Sequence, residues 1–174
     1  MFPQRILIAF FSWTNNTRTI AQEIEKNLSF SSKVDTCEIC PIKTRRYLTW
    51  LFLSSIPRFK VKIQSKIYDL SNYDMLILGS PKWVFNSPPI NEYLNRLIGC
   101  RGQMTAIFIT YGGYGEKKYA MQLEKNLEKK KLHVIDTLLI RRRSIKKGEY
   151  FRDVQSFCKY IEQIVYHNEL KRIA

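Results

Sequence analysis

The sequence predicts an α/β domain built on a doubly wound parallel sheet, and three observations carry that prediction. Short apolar runs alternate along the chain with segments of helical period. The first run, Arg5 to Phe11 (RILIAFF), is apolar almost without interruption, the pattern of a strand covered on both faces. The chain has 174 residues, 45% of them hydrophobic and 13% aromatic, enough for one domain with a substantial core of its own.

After Phe11 comes Ser-Trp-Thr-Asn-Asn-Thr, and then Ile20, Ala21, Ile24 and Leu28 at the spacing of one helix face. Val34 to Ile39 reads as a second strand, Asp74 to Leu78 as a third, Ile90 to Ile98 as a helix and Met104 to Thr110 as a fourth strand. Tyr119 to Lys131 reads as a helix and His133 to Ile140 as a fifth strand. Phe151 to Val165 closes the chain as a helix with Phe157, Tyr160, Ile161 and Ile164 on one face. The connection at about 41–73 is longer than one helix requires; a helix near 44–55 is expected in it and the remainder reads as irregular. No repeat, low-complexity stretch or second domain is visible, so 1–174 reads as a single domain.

The charged fraction of 25% excludes disordered and fibrous classes, while the net charge of +14 and pI of about 9.7 make the chain strongly basic. Cysteines at 37, 40, 100 and 158 do not make a disulfide scaffold, and no small-residue cleavage site follows the N-terminal apolar run. The longest apolar stretch, Tyr47 to Pro57, is interrupted by Thr and Ser and falls far short of the ~20 residues of a membrane span. A soluble, cytoplasmic protein is expected.

In an open α/β sheet, ligands bind beyond the carboxyl ends of the strands, so the informative segments follow strands one, three and four. The first, Ser12-Trp13-Thr14-Asn15-Asn16-Thr17, places hydroxyls and amides at a helix N-terminus, where a phosphate is favoured by N–H groups and the helix dipole. With no glycine before Gly79, neither a P-loop nor a G-x-G-x-x-G turn can be placed there. The alternative is that these residues only cap a helix. The second segment, Gly79 to Pro89, contains Pro81, Lys82, Trp83, Val84, Phe85 and Asn86; its Trp offers a flat face to a planar ring, against the alternative of core packing by Trp83 and Phe85. The third, Thr110-Tyr111-Gly112-Gly113-Tyr114-Gly115, combines two tyrosines with glycines that let main chain approach a ligand closely.

These three loops resemble those of the flavodoxin family, whose first loop is a Ser/Thr-x-Thr-Gly-Asn-Thr phosphate cradle for FMN. Ser12, Thr14, Asn16 and Thr17 match it position by position, and Asn15 stands where the family usually has glycine, a departure Asn tolerates better than most residues if the turn needs φ > 0. The Gly79-Ser80-Pro81-x-Trp83 run with Pro88-Pro89 is similar to the family's second flavin loop. The third segment resembles that of its flavodoxin-like reductase branch. The resemblance covers nearly the whole chain, with the 41–68 connection aligning poorly with short flavodoxins. It implies a three-layer sandwich, a five-stranded parallel sheet of order 2-1-3-4-5, and FMN bound non-covalently by all three loops. Ser12, Thr14, Asn16 and Thr17 would hold the phosphate, and Trp83 with Tyr111 or Tyr114 would flank the ring.

The function so implied is an FMN-binding redox protein carrying electrons between partners. The alternatives are an NAD(P)H-dependent reductase of a quinone or other small substrate and, in a different class, a basic binding module that has lost flavin. No catalytic residue and no metal ligand is assigned. Cys37-x-x-Cys40 lies at a strand end, away from the helix start that lowers a thiol pKa. The basic clusters Lys43–Arg46, Arg58–Lys66, Lys117–Lys131 and Arg141–Lys147 fit an acidic redox partner or an anionic membrane surface; without a nucleic-acid module, no specific nucleic acid is expected. Tyr47 to Ile56 is apolar nearly all round, which core plus a homodimer contact would cover; a cover over the flavin is the functional alternative.

Overall fold

The structure, a computed structural model, describes residues 4–43 and 45–173. In chain order its elements are β1 (Arg5–Phe10), α1 (Asn16–Leu28), β2 (Lys33–Glu38), β3 (Cys40–Pro41), α2 (Tyr47–Ser55), β4 (Ile63–Gln64) and β5 (Met75–Pro81). They continue as α3 (Pro88–Arg96), β6 (Met104–Tyr111), α4 (Glu116–Glu128), β7 (His133–Arg141), α5 (Arg142–Lys147) and α6 (Phe151–Ile173).

β1 sits between β2 and β5, with Ile6 opposite Val34 on one side and Met75 on the other, and every pairing in the five-stranded sheet is parallel. The order is β2-β1-β5-β6-β7, the expected 2-1-3-4-5 when only the five long strands are counted. Because side chains alternate along a strand, Leu7, Ala9 and Phe11 enter one core with α2, α3 and α4. Ile6, Ile8 and Phe10 enter another with α1 and α6. The result is the three-layer sandwich that continuous apolar strands demand.

The strands fall within a few residues of expectation, with one consequence for the site: β5 continues through Gly79, Ser80 and Pro81, beyond the Leu78 expected from the apolar run. α3 begins at Pro88, two residues early, because Pro at the first helical positions has no N–H to lose. α5 was not expected; six residues with four basic side chains and no buried face leave no period to read.

The 41–73 connection is less irregular than expected. β3 and β4 pair antiparallel, Cys40 with Gln64 and Pro41 with Ile63, and close the base of a long excursion that contains α2. The helix expected near 44–55 occupies Tyr47–Ser55; residue 44 lies outside the described residues. Two-residue strands carry too few alternations to be legible in a sequence.

Gly79 lies beside Phe108 of β6, and a Cβ there would stand 2.1 Å from the Phe108 ring. Gly79→Ala is therefore expected to destabilise the fold by about 1–3 kcal/mol in urea denaturation, and Phe108→Leu in the same chain to recover part of the loss.

Candidate functional site

Three loops converge at the carboxyl ends of β1, β5 and β6. The first leaves β1 after Phe11, whose N–H donates to the Gly79 carbonyl at 3.1 Å, and turns into α1 through Asn15. Asn15 has φ 62°, ψ −10°, a left-handed conformation that side chains other than Asn, Asp and Gly rarely adopt. Its carbonyl accepts the first helical bond, from Thr19 N–H at 2.8 Å. The Arg18 backbone N–H donates to Ser12 Oγ at 3.2 Å and Asn16 Nδ2 donates to Thr14 Oγ1 at 2.8 Å. The Arg18 guanidinium donates to Asn15 Oδ1 and pairs with Glu38 at 2.6 Å. Thr14 and Asn15 are exposed, Ser12 and Asn16 half-buried, and the first turn of α1 has no acidic side chain to repel an anion.

Thr17 differs from the others. It is buried, and its hydroxyl is 2.8 Å from that of Thr110, so it ties the first loop to β6. Both hydroxyls serve the joint between two loops.

The second loop begins at the buried Pro81. Lys82 N–H donates to the Thr110 carbonyl at 2.8 Å and Lys82 Nζ to the Tyr114 carbonyl, which holds the second and third loops together. Trp83 is half-buried, its ring 5.8 Å from Phe11 and 5.2 Å from Trp50. Val84 N–H donates to Ser54 Oγ at 3.3 Å and Phe85 N–H to the Ser54 carbonyl at 3.1 Å, while the Phe85 side chain stands exposed. Asn86 is 1% exposed, and its side-chain amide is committed to the scaffold. It donates to the carbonyls of Ser54 and Ile56 at 2.9 and 2.8 Å and accepts from Asn91 at 2.8 Å, holding the open end of α2.

In the third loop Tyr111 is half-buried and Gly112, Gly113, Tyr114 and Gly115 are exposed. A Cβ on Gly113 would meet nothing within 4 Å, and Gly115, at φ 82°, turns the chain into α4. Beside Gly112 a recess of about 500 Å³ is lined by Arg141, Arg142, Arg143 and Lys146, and none of these four has an acidic partner among the described residues.

Trp50 is the residue that sequence reasoning missed. It comes from α2, is wholly buried, and packs against Phe11, Trp13 and Trp83, so it forms the floor common to the first two loops. Its Nε1 has no hydrogen-bond partner among the described residues. The signal was its place in the aromatic stretch 47–57, but periodicity gave no means of choosing which ring turned inward.

The Cys37-x-x-Cys40 pair contributes nothing to this constellation. Cys37 is buried 2.9 Å from Ser65 Oγ, and partial burial with the nearby Glu38 carboxylate pushes the Cys40 thiol up, the reverse of an activated thiol. Among the described residues no three His, Cys, Asp or Glu side chains gather as metal ligands, and no described helix is long and apolar enough to cross a membrane.

Together the loops offer an exposed anion cradle, an aromatic floor and a glycine loop of open main chain. No family model matches the chain. An uncharacterized protein of Archaeoglobus fulgidus is 33% identical over 147 residues, spanning 83% of this chain and 91% of that protein. The flavoprotein of Lactobacillus acidophilus, solved in complex with FMN, superposes with a TM-score of 0.66 at 21% identity, over 83% of this chain and 97% of its own. Oxidised flavodoxin 2 of Bacillus cereus superposes with a TM-score of 0.63 at 20% identity, over 92% and 99%. The chain belongs to one family with the archaeal protein, and its fold is that of the flavodoxins.

In the flavodoxin fold, the gap between β1 and β5 is where successive connections depart in opposite directions along the sheet, and the loops just described surround it. Two features should show that this arrangement is set by backbone and buried hydroxyls. Asn15→Gly should leave stability nearly unchanged, whereas Asn15→Ala should cost ~1 kcal/mol or more in chemical denaturation. Thr17→Val or Thr110→Val alone strands a buried hydroxyl and should cost about 1–3 kcal/mol; the double variant should cost less than the sum, as a double-mutant cycle would read.

Proposed function

We propose that the chain binds FMN at the three loops and passes electrons through it between redox partners. The observation that carries this reading is the left-handed turn at Asn15. The residue standing at the glycine position of Ser-x-Thr-Gly-Asn-Thr adopts the backbone conformation glycine would supply, so the rest of the motif keeps its register at the helix N-terminus. The flavoprotein of Lactobacillus acidophilus, which shares the fold, is solved with FMN, and that supports the choice of ligand.

The residues fit that group part by part. Ser12, Thr14 and Asn16 lie at the start of α1, where unpaired N–H groups and the helix dipole favour a phosphate. Thr17 acts through Thr110, holding the turn against β6. Trp83 keeps one part of its ring on Trp50 and Phe11 and the remainder exposed, so it is braced from behind while offering a face for an isoalloxazine. Tyr111 or Tyr114 would flank the ring with Trp83, and main chain from Gly112 to Gly115 would meet its edge. Bound FMN supplies reversible uptake of one or two electrons, and the protein needs no acid, base or nucleophile of its own for that role. The four unpaired cations of the recess beside Gly112 favour an acidic redox partner on this side.

The test is direct. The protein should be yellow or become so with FMN, and should prefer FMN to FAD. Thr14→Ala should weaken FMN by about 1–3 kcal/mol and Trp83→Ala by ~1 kcal/mol, read by flavin fluorescence titration. Tight FAD binding, or no flavin at all, would sink the reading. Reduction by an acidic partner protein should be faster at low salt, and Arg142→Glu should diminish that dependence.

A further inference from the structure

α2 is a helix without a polar face. Trp50, Leu53 and Ser54 are buried, yet Leu48 and Phe52, one turn apart, stand 75% and 67% exposed, and Ile56 just past the helix end is 37% exposed. Phe85 of the second loop, 58% exposed, is bonded through its backbone to the end of α2 and adds a further exposed ring beside it. Between Ile42 and Tyr68 the sequence has no acidic residue and seven basic ones: Lys43, Arg45, Arg46, Arg58, Lys60, Lys62 and Lys66. None of the seven is in an ion pair among the described residues, and all are exposed except the half-buried Arg45.

We propose that α2, with Phe85, docks this protein on an anionic lipid surface, Leu48 and Phe52 entering the headgroup boundary while the flanking lysines and arginines bind lipid phosphates. An interfacial helix joins exposed large apolar side chains to surrounding cations, and each lysine or arginine near an anionic surface strengthens partitioning about fivefold. A second copy of the chain fits less well. Two-fold pairing of this face would bring the cations that adjoin α2, Arg45 and Arg46 among them, against their own copies, with no acidic side chain in the segment to separate them. Docking does not depend on flavin. Its consequence, that the loop site lies at the membrane edge within reach of a lipid-soluble acceptor, does rest on the flavin reading.

Co-sedimentation with vesicles of phosphatidylcholine, with and without phosphatidylglycerol, tests the proposal in the full chain, both with and without added FMN. Binding to the anionic vesicles should be at least about tenfold tighter, equal with and without FMN, and weakened by salt. Leu48→Asp with Phe52→Asp should lose tenfold or more of it, and so should Arg45→Glu with Arg46→Glu, with far-ultraviolet circular dichroism unchanged because these side chains lie outside the core. Should either variant misfold, the comparison of neutral with anionic vesicles for the unaltered chain decides alone. Equal or absent binding to the two vesicles, or binding indifferent to a folded Leu48/Phe52 variant, overturns the proposal. So does a dimer in sedimentation equilibrium that Leu48→Asp dissociates, which would assign the face to a second copy. A flavin-free protein that still binds anionic vesicles would refute the flavin reading and leave docking intact.

Discussion

β1 is apolar on both faces, and a strand of that kind is stable only with a packed layer on each side. Much else follows from this requirement. Helices must cover both faces, α1 and α6 on one and α2, α3 and α4 on the other, and right-handed crossovers then fix which neighbour each new strand can join. With β1 interior, β2 must lie on one side of it and β5 on the other, and the loops leaving β1 and β5 open around a common gap. The site is thus a by-product of burying RILIAF twice over. Its chemistry is added by loop residues that the sheet does not itself need.

The parts of the structure written as repeated pattern were the legible ones. Five strands, the helices after them and the convergence of Ser12–Thr17, Pro81–Asn86 and Thr110–Gly115 follow from runs and periods many residues long. What could not be read depended on single contacts across the chain. Nothing local says that the Asn86 amide caps a helix thirty residues earlier in the chain. Thr17 and Thr110 match a phosphate motif and a strand end respectively, and only their separation of 2.8 Å shows that they are partners. Trp50 sits in a segment apolar on every face, where the pattern carries no direction at all.

That segment also shows two demands competing on nine residues. The first is packing: Trp50 fills the space beneath Trp13 and Trp83, and Asn86 and Ser54 hold the helix end in place, so α2 belongs to the floor of the site. Floor packing alone would be satisfied by an amphipathic helix with polar residues at positions 48 and 52. Leaving Leu and Phe there exposes apolar surface to water for no gain in the isolated chain, since burying each would be worth about 1.5–3 kcal/mol. Such a face has a physical rationale only when something outside the fold covers it.

The charge must be considered by location, because its total says little about any one place. A lysine at ~10 Å in water contributes only ~0.4 kcal/mol to a unit charge, and a Debye length of ~8 Å at physiological salt reduces that further. A net charge of +14 spread evenly would therefore leave the loop site almost unaffected. The cations are instead concentrated: Arg141, Arg142, Arg143 and Lys146 lie around a recess beside the third loop, and seven more fall in the acid-free segment between Ile42 and Tyr68 that contains α2. At contact range, charges of one sign add where they would otherwise be screened apart. The field of each region is therefore local, and the recess that includes Gly112 is the one whose cations border the third loop directly.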